Sequence, residues 1–194
     1  IKQTTLISAL LSLLCFIPQI VFGFTVVSAI SVDTLTVADS LDSVQILIQD
    51  ARKLANSQST CHIATAKLDR VLEIAQEQSV DLPTLYYIGR AEISLTLRDY
   101  KQTDQHIKLA DRLISSESNG YILSQYNLCL GKFYYFTGSF DKSIKQLKRN
   151  IELAKEQQLS NILPTTYEQL ANVYNSLDSS RLVRQNLDSM LKVS

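Results

Sequence analysis

Glycine and proline are scarce in this chain, at five and three residues of 194. A turn-rich β fold needs more of both and is excluded at the outset. Tryptophan is absent, and the only histidines are His62 and His106. Neither has a second ligand-type residue three or four positions away, so zinc-binding spacings are missing. No Gly-rich phosphate loop and no G-x-S-x-G elbow occurs. The carboxylates are scattered as on a solvated helical surface. Catalytic residues, a metal and a cofactor are therefore not expected. Neither charge sign is in excess, with 19 Lys+Arg against 19 Asp+Glu. Nothing tracks a phosphate backbone, which argues against nucleic acid as a partner.

Cysteine is also sparse: Cys15, Cys61 and Cys129. Cys61 and Cys129 fall at different positions of the repeat described below. Two half-buried free thiols fit that placement better than a bridge, which needs Cα atoms within about 7 Å. Cys15 lies in a different kind of segment. No charge occurs between Lys2 and Asp33, and Leu6 to Ile17 is apolar apart from two serines. Pro18 follows, and Val21-Phe22-Gly23 or Val27-Ser28-Ala29 offers a small-residue cleavage site. Residues 1–29 read as a secretory signal. The rival reading is an uncleaved anchor, since about 20 apolar residues can span a bilayer. Leu14 before Cys15 argues against a lipid anchor. Either reading exports the rest of the chain, to the periplasm or to its membrane face, and confines membrane contact to the N-terminal segment. Residues 30–36 read as a linker.

Helix-forming residues fill the remainder, 37–194. Leu41, Val44, Leu47, Ile48, Ala51, Leu54 and Ala55 make one apolar stripe at three-and-four spacing. Similar stripes follow, giving four helix pairs in units of about 40–78, 83–118, 121–158 and 164–194. Pro83 and Pro164 sit where a helix start tolerates a missing N–H. Asn119-Gly120 separates the second pair from the third. Thr60, Ser139 and Ser179 stand where a side-chain cap would open each second helix.

The strongest signal is a period. Ala51, Ala91, Gly131 and Ala171 stand forty positions apart. Around the third the chain reads Leu130-Gly131-x-x-Tyr134-x-x-x-Gly138, and around the fourth Leu170-Ala171-x-x-Tyr174-x-x-x-Asp178. A fixed period of this length means stacked, similar units. A small residue lets one helix approach its partner closely, and the tyrosines fill the space one turn on.

These residues resemble the tetratricopeptide repeat, in a long, bacterial exported variety. The third unit carries the pattern in Leu130, Gly131, Tyr134, Gly138, Phe140, Ser143 and Leu147. The fourth carries it in Tyr167, Leu170, Ala171, Tyr174 and Leu187. The second keeps Tyr87, Ala91, Asp99-Tyr100 and Ile107 but has Arg90 where Leu is expected. The first keeps little beyond Leu47, Ala51 and Leu54. The resemblance implies an all-α fold, an α-α superhelix of about four helix pairs, with a concave groove lined by the first helix of each pair. It places Arg52, Glu92, Lys132 and Asn172 at one groove position, and Ala55, Leu95, Tyr135 and Asn175 at the next. Arg52, Glu92, Lys132, Tyr135, Asn172 and Asn175 are thus the expected partner-binding residues. The set is mixed in charge and lacks a dense basic clamp.

Four consecutive aromatics, Phe133-Tyr134-Tyr135-Phe136, cannot share one core face. Tyr134 is the expected packing residue. Tyr135 or Phe136 then packs under a neighbouring helix or anchors a bound peptide. The expected function is a non-catalytic scaffold that binds protein or peptide segments. The alternative is the extracytoplasmic sensor region of a longer bacterial signalling protein, a histidine kinase or diguanylate cyclase. The start at Ile1 and the apolar Leu182, Leu187, Met190, Leu191 and Val193 suggest a longer protein, or self-association through the last unit.

Overall fold

The computed structural model describes residues 42–114 and 119–193. The signal or anchor expected at 1–29 and the linker at 30–36 lie outside them. The chain divides into two units between Gln45 and Ile46. The described residues are helical throughout, without strands, and the fold is all-α. The first helix, α1, runs 42–54. There follow α2 (Cys61–Gln78), α3 (Thr84–Thr96), α4 (Tyr100–Ile114), α5 (Gly120–Phe136), α6 (Phe140–Glu156), α7 (Leu163–Ser176) and α8 (Ser180–Val193). No helix among the described residues is long and apolar enough to cross a membrane.

Contacts within the second unit recur. Helix α3 packs on α4, α5 on α6 and α7 on α8. Each later pair also touches the one before it, through α2 with α3, α4 with α5 and α6 with α7. The first helices touch one another as well, α3 with α5 and α5 with α7. The small residues explain this closeness. Ala51, Ala91, Gly131 and Ala171 are all buried. At Gly131 a Cβ would stand 2.6 Å from Leu147 Cδ2, so only glycine leaves α6 room to lie this near α5.

The apolar stripes meet in successive clusters. Ile88, Ala91, Ile107, Ala110, Tyr126 and Cys129 join α3, α4 and α5. Leu128, Leu147, Leu170, Val173 and Tyr174 join α5, α6 and α7. Each fully buried Ile or Leu among them stabilises by about 1.5–3 kcal/mol. A polar chain crosses this core. Ser124 Oγ donates to Asn150 Oδ1 at 2.7 Å, and Asn150 Nδ2 donates to Thr166 Oγ1 at 3.0 Å. Thr166 Oγ1 then donates to the Ile162 carbonyl. All three side chains are fully buried, so their hydrogen bonds hold α5, α6 and α7 in register.

The turn inside the second, third and fourth pairs also repeats. Arg98, Gly138 and Asp178 have φ of 60°, 73° and 52°. One residue on, the amides of Asp99, Ser139 and Ser179 bond the carbonyls of Ser94, Tyr134 and Tyr174. This left-handed closure ends the first helix of a pair and reverses the chain.

Helix starts differ from expectation. Thr60 and Ser139 make no side-chain cap. Thr60 is already in helical backbone geometry, and its hydroxyl donates back to the Leu54 and Ser57 carbonyls. Ser179 Oγ likewise turns back to the Leu177 carbonyl. The caps come from Asp99, which accepts from the Gln102 amide, and from Asn119, which accepts from the Tyr121 amide. Pro83 occupies the N-cap of α3 in extended geometry, and Pro164 falls in the first turn of α7.

Candidate functional site

The residue after each buried notch lies on one side of its helix. Three of the four, Arg52, Glu92 and Lys132, line a common cavity of about 540 Å³ together with Gln125 and Thr165. A second cavity of about 440 Å³ adjoins it, lined by Leu95, Arg98, Phe136 and Gln169. Asn56, Glu92 and Lys132 border both. The two form one cleft over the first helices of the pairs. Its lining is mainly amides, hydroxyls and cations, with Leu95, Leu128, Ile162 and Phe136 as the apolar residues, of which Phe136 is exposed.

Two of the expected groove residues pair with each other. Arg52 Nε donates to Glu92 Oε2 at 2.8 Å, and its Nη2 donates to Glu92 Oε1 at 3.0 Å. The same Nη2 also donates to Gln125 Oε1 at 2.6 Å. The side chains are 11% and 10% exposed, so this is a bidentate pair largely withdrawn from water. Burial alone would lower the Arg52 pKa. The charge and hydrogen bonds of Glu92 outweigh it and hold the guanidinium above its ordinary value. The pair ties α1 to α3, and Gln125 extends it to α5. Lys132 is half-buried and has no carboxylate within ion-pair distance among the described residues.

Asn172 and Asn175 stay apart from this cleft. Both are exposed and border neither cavity. The fourth pair contributes Thr165 and Gln169 instead, nearer the start of α7. Tyr135 is half-buried against the Leu128–Leu147–Leu170 cluster. Its ring meets Phe136 edge-on at 5.1 Å and Phe140 at 6.1 Å. Its hydroxyl accepts from Ser176 Oγ at 3.4 Å. Of the four consecutive aromatics Phe136, 43% exposed, is the one that borders the cleft, and Tyr121 borders its larger cavity. Tyr134 is half-buried beneath the Lys142 ammonium, which lies 5.7 Å from the ring centroid.

Sequence reasoning missed Asn56, Gln125 and Gln169. Gln125 and Thr165 are forty residues apart, a relation of the same kind as the notches, and a search for repeated polar positions would have found that pair; Gln169 stands forty residues after Cys129 and has no such signal.

A separate cleft of about 600 Å³ lies over α2, α3 and α4, bordered by Tyr86, Arg90, Ile93, Leu97, Asp99 and His106. Arg90 donates to the Tyr86 hydroxyl at 3.0 Å and to Asp69. His106 is half-buried, and its Nδ1 is buried without a hydrogen-bond partner among the described residues. Burial, then the nearby Arg90 charge, lower its pKa below 6.5, while Asp99 opposes them. His62 is exposed on α2. Cys61 and Cys129 are both free and buried. Burial raises both thiols, Cys129 to about 12, which leaves them protonated and unreactive. Among the described residues no group of three His, Cys, Asp or Glu side chains is placed to hold a metal.

No family model matches the chain, and neither does any curated protein or solved structure.

Proposed function

We propose that residues 46–194 form a tetratricopeptide-like α-α solenoid, and that this is a non-catalytic scaffold taking peptide segments of a protein partner into the cleft over α1, α3, α5 and α7. The observation that carries this reading is the cleft itself. Four helices from four pairs border one continuous depression, and its lining is rich in Asn and Gln side chains. An amide side chain both donates and accepts, so it can pair with the N–H and C=O groups of an extended backbone. The recurring contacts of each pair with the next supply the rigid stack that such a surface needs. In the same reading the scaffold works outside the cytoplasm, as the apolar pattern of residues 1–29 suggests.

The test is a selection of short random peptides, displayed on phage, against the full chain. A selected peptide is then titrated by fluorescence anisotropy against the wild type and against Phe136→Ala combined with Gln169→Ala. The double variant is expected to bind at least about tenfold more weakly, since interface aromatics carry a large share of affinity. Its melting temperature should be nearly unchanged. Equal affinity for both proteins would place the partner surface elsewhere.

A further inference from the structure

We infer that the cleft selects acidic segments, in which a carboxylate meets Lys132 and Arg98 while a neighbouring large apolar side chain lies on Phe136. This rests on the peptide-groove reading and specifies which segments the groove takes.

The argument is one of charge left over after internal pairing. Glu92 is the one carboxylate among the residues bordering the two cavities. Both of its oxygens already receive Arg52 donors. That pair cancels its own charge and occupies the acceptors a basic ligand would need. Lys53 borders the cleft but reaches Asp50 at 3.8 Å. Lys132 and Arg98 have no such partner among the described residues. Both border the smaller cavity. The cleft therefore presents uncompensated positive charge, although Lys+Arg and Asp+Glu balance over the whole chain.

Phe136 supplies the second requirement. It borders the same cavity as the two cations and is 43% exposed. A carboxylate and an apolar group close together on a ligand match this arrangement. Asn56 and Gln169 can bond either polarity of backbone group and add no preference for side chains. Selectivity is thus left to the cations and the ring. Complementary charge of this kind acts on discrimination and on association rate.

The test uses the full chain and three labelled peptides that differ only in the charged positions. One alternates Glu and Phe with Ser between them, one has Gln for Glu, and one has Lys for Glu. Affinities are read by fluorescence anisotropy at about 0.15 M salt, where exposed charges are partly screened. The Glu peptide is expected to bind about tenfold tighter than the Gln peptide, with the Lys peptide weakest. Lys132→Gln should narrow the first gap, and Lys132→Glu should invert the order of the Glu and Lys peptides. Phe136→Ala should weaken all three alike. Equal binding of the Glu and Gln peptides, both lost in Phe136→Ala, would overturn the charge preference and leave the groove standing. No binding by any peptide would overturn both.

Discussion

Adding one methyl group at Gly131 tests the repeat at its closest contact. An alanine Cβ there would stand 2.6 Å from Leu147 Cδ2 and 2.8 Å from its Cγ. Carbon atoms in contact prefer about 3.5–4.0 Å, so roughly 1 Å has to be recovered. Leu147 cannot supply it by rotating, because it is 0% exposed and enclosed by Leu128, Leu170, Val173 and Tyr174. The helices must move apart instead, and the Ser143 bond to the Gly131 carbonyl at 2.8 Å resists that. Overpacking of this kind costs about 1–3 kcal/mol. Alanine's helix propensity returns about 1 kcal/mol. Gly131→Ala should therefore lose up to about 2 kcal/mol in urea unfolding followed by circular dichroism. Gly120→Ala is the control. Its Cβ would meet Gln157 Cγ at 2.8 Å, but Gln157 is exposed and can swing aside, so stability should stay within about 0.5 kcal/mol. In a Leu147→Ala background the Gly131→Ala penalty should vanish, a coupling of about 1–3 kcal/mol. A Gly131→Ala protein more stable than wild type by about 1 kcal/mol, as for an ordinary helical glycine, would refute the notch.

Three further outcomes follow from the described geometry. Asn150→Leu leaves the Ser124 hydroxyl buried without its acceptor, while Thr166 keeps its bond to Ile162; unfolding should show a loss of about 1–3 kcal/mol, partly restored by adding Ser124→Ala. Arg98→Gly and Asp178→Gly relieve left-handed backbone and should each stabilise by roughly 0.5–1 kcal/mol, whereas Gly138→Ala should cost about 1 kcal/mol although its Cβ would meet nothing within 4 Å. His106 binds its proton less readily folded than unfolded, so stability is full above the ordinary value of 6.5 and declines as pH falls from there through the lowered folded value. His106→Gln should flatten that part of the curve of melting temperature against pH, and an unchanged slope would assign it to other groups.

What the sequence made legible was whatever recurs. The forty-residue spacing located four notches, and all four are buried. The apolar stripes located helices because burial imposes the 3.6-residue period on each of them. Capping was misread because it depends on backbone angles at a single residue. Thr60 has the right side chain but ψ of −6°, which aims its hydroxyl away from the amides it was expected to meet. The αL turns were partly legible: Gly138 advertises the conformation and Asp178 is of a type that tolerates it, while Arg98 adopts it with no residue-type signal. The buried Asn150 was invisible for a related reason. Ala110 holds the same place one unit earlier, and only the facing Ser124 and Thr166 make an amide acceptable there.

The cleft shows why repeated positions do not carry repeated roles. Arg52, Glu92, Lys132 and Asn172 share one register and read as a mixed-charge surface when taken as a row. In three dimensions the first two face each other and neutralise, the third stays unpaired, and the fourth lies outside. Which charges survive depends on side-chain reach across neighbouring first helices, and a pattern along the chain has no access to that. The consequence runs from packing to chemistry. Because Gly89 on α3 leaves room for the Arg52 side chain, at 3.2 Å from where a Cβ would stand, Arg52 reaches Glu92 as a bidentate pair, and the cleft keeps its cations and loses the use of its carboxylate. A ligand that competed for Glu92 would first have to break two charge-assisted hydrogen bonds and leave a largely buried Arg52 unmatched, at a cost of about 3–5 kcal/mol. An acidic segment meets no such barrier at Lys132.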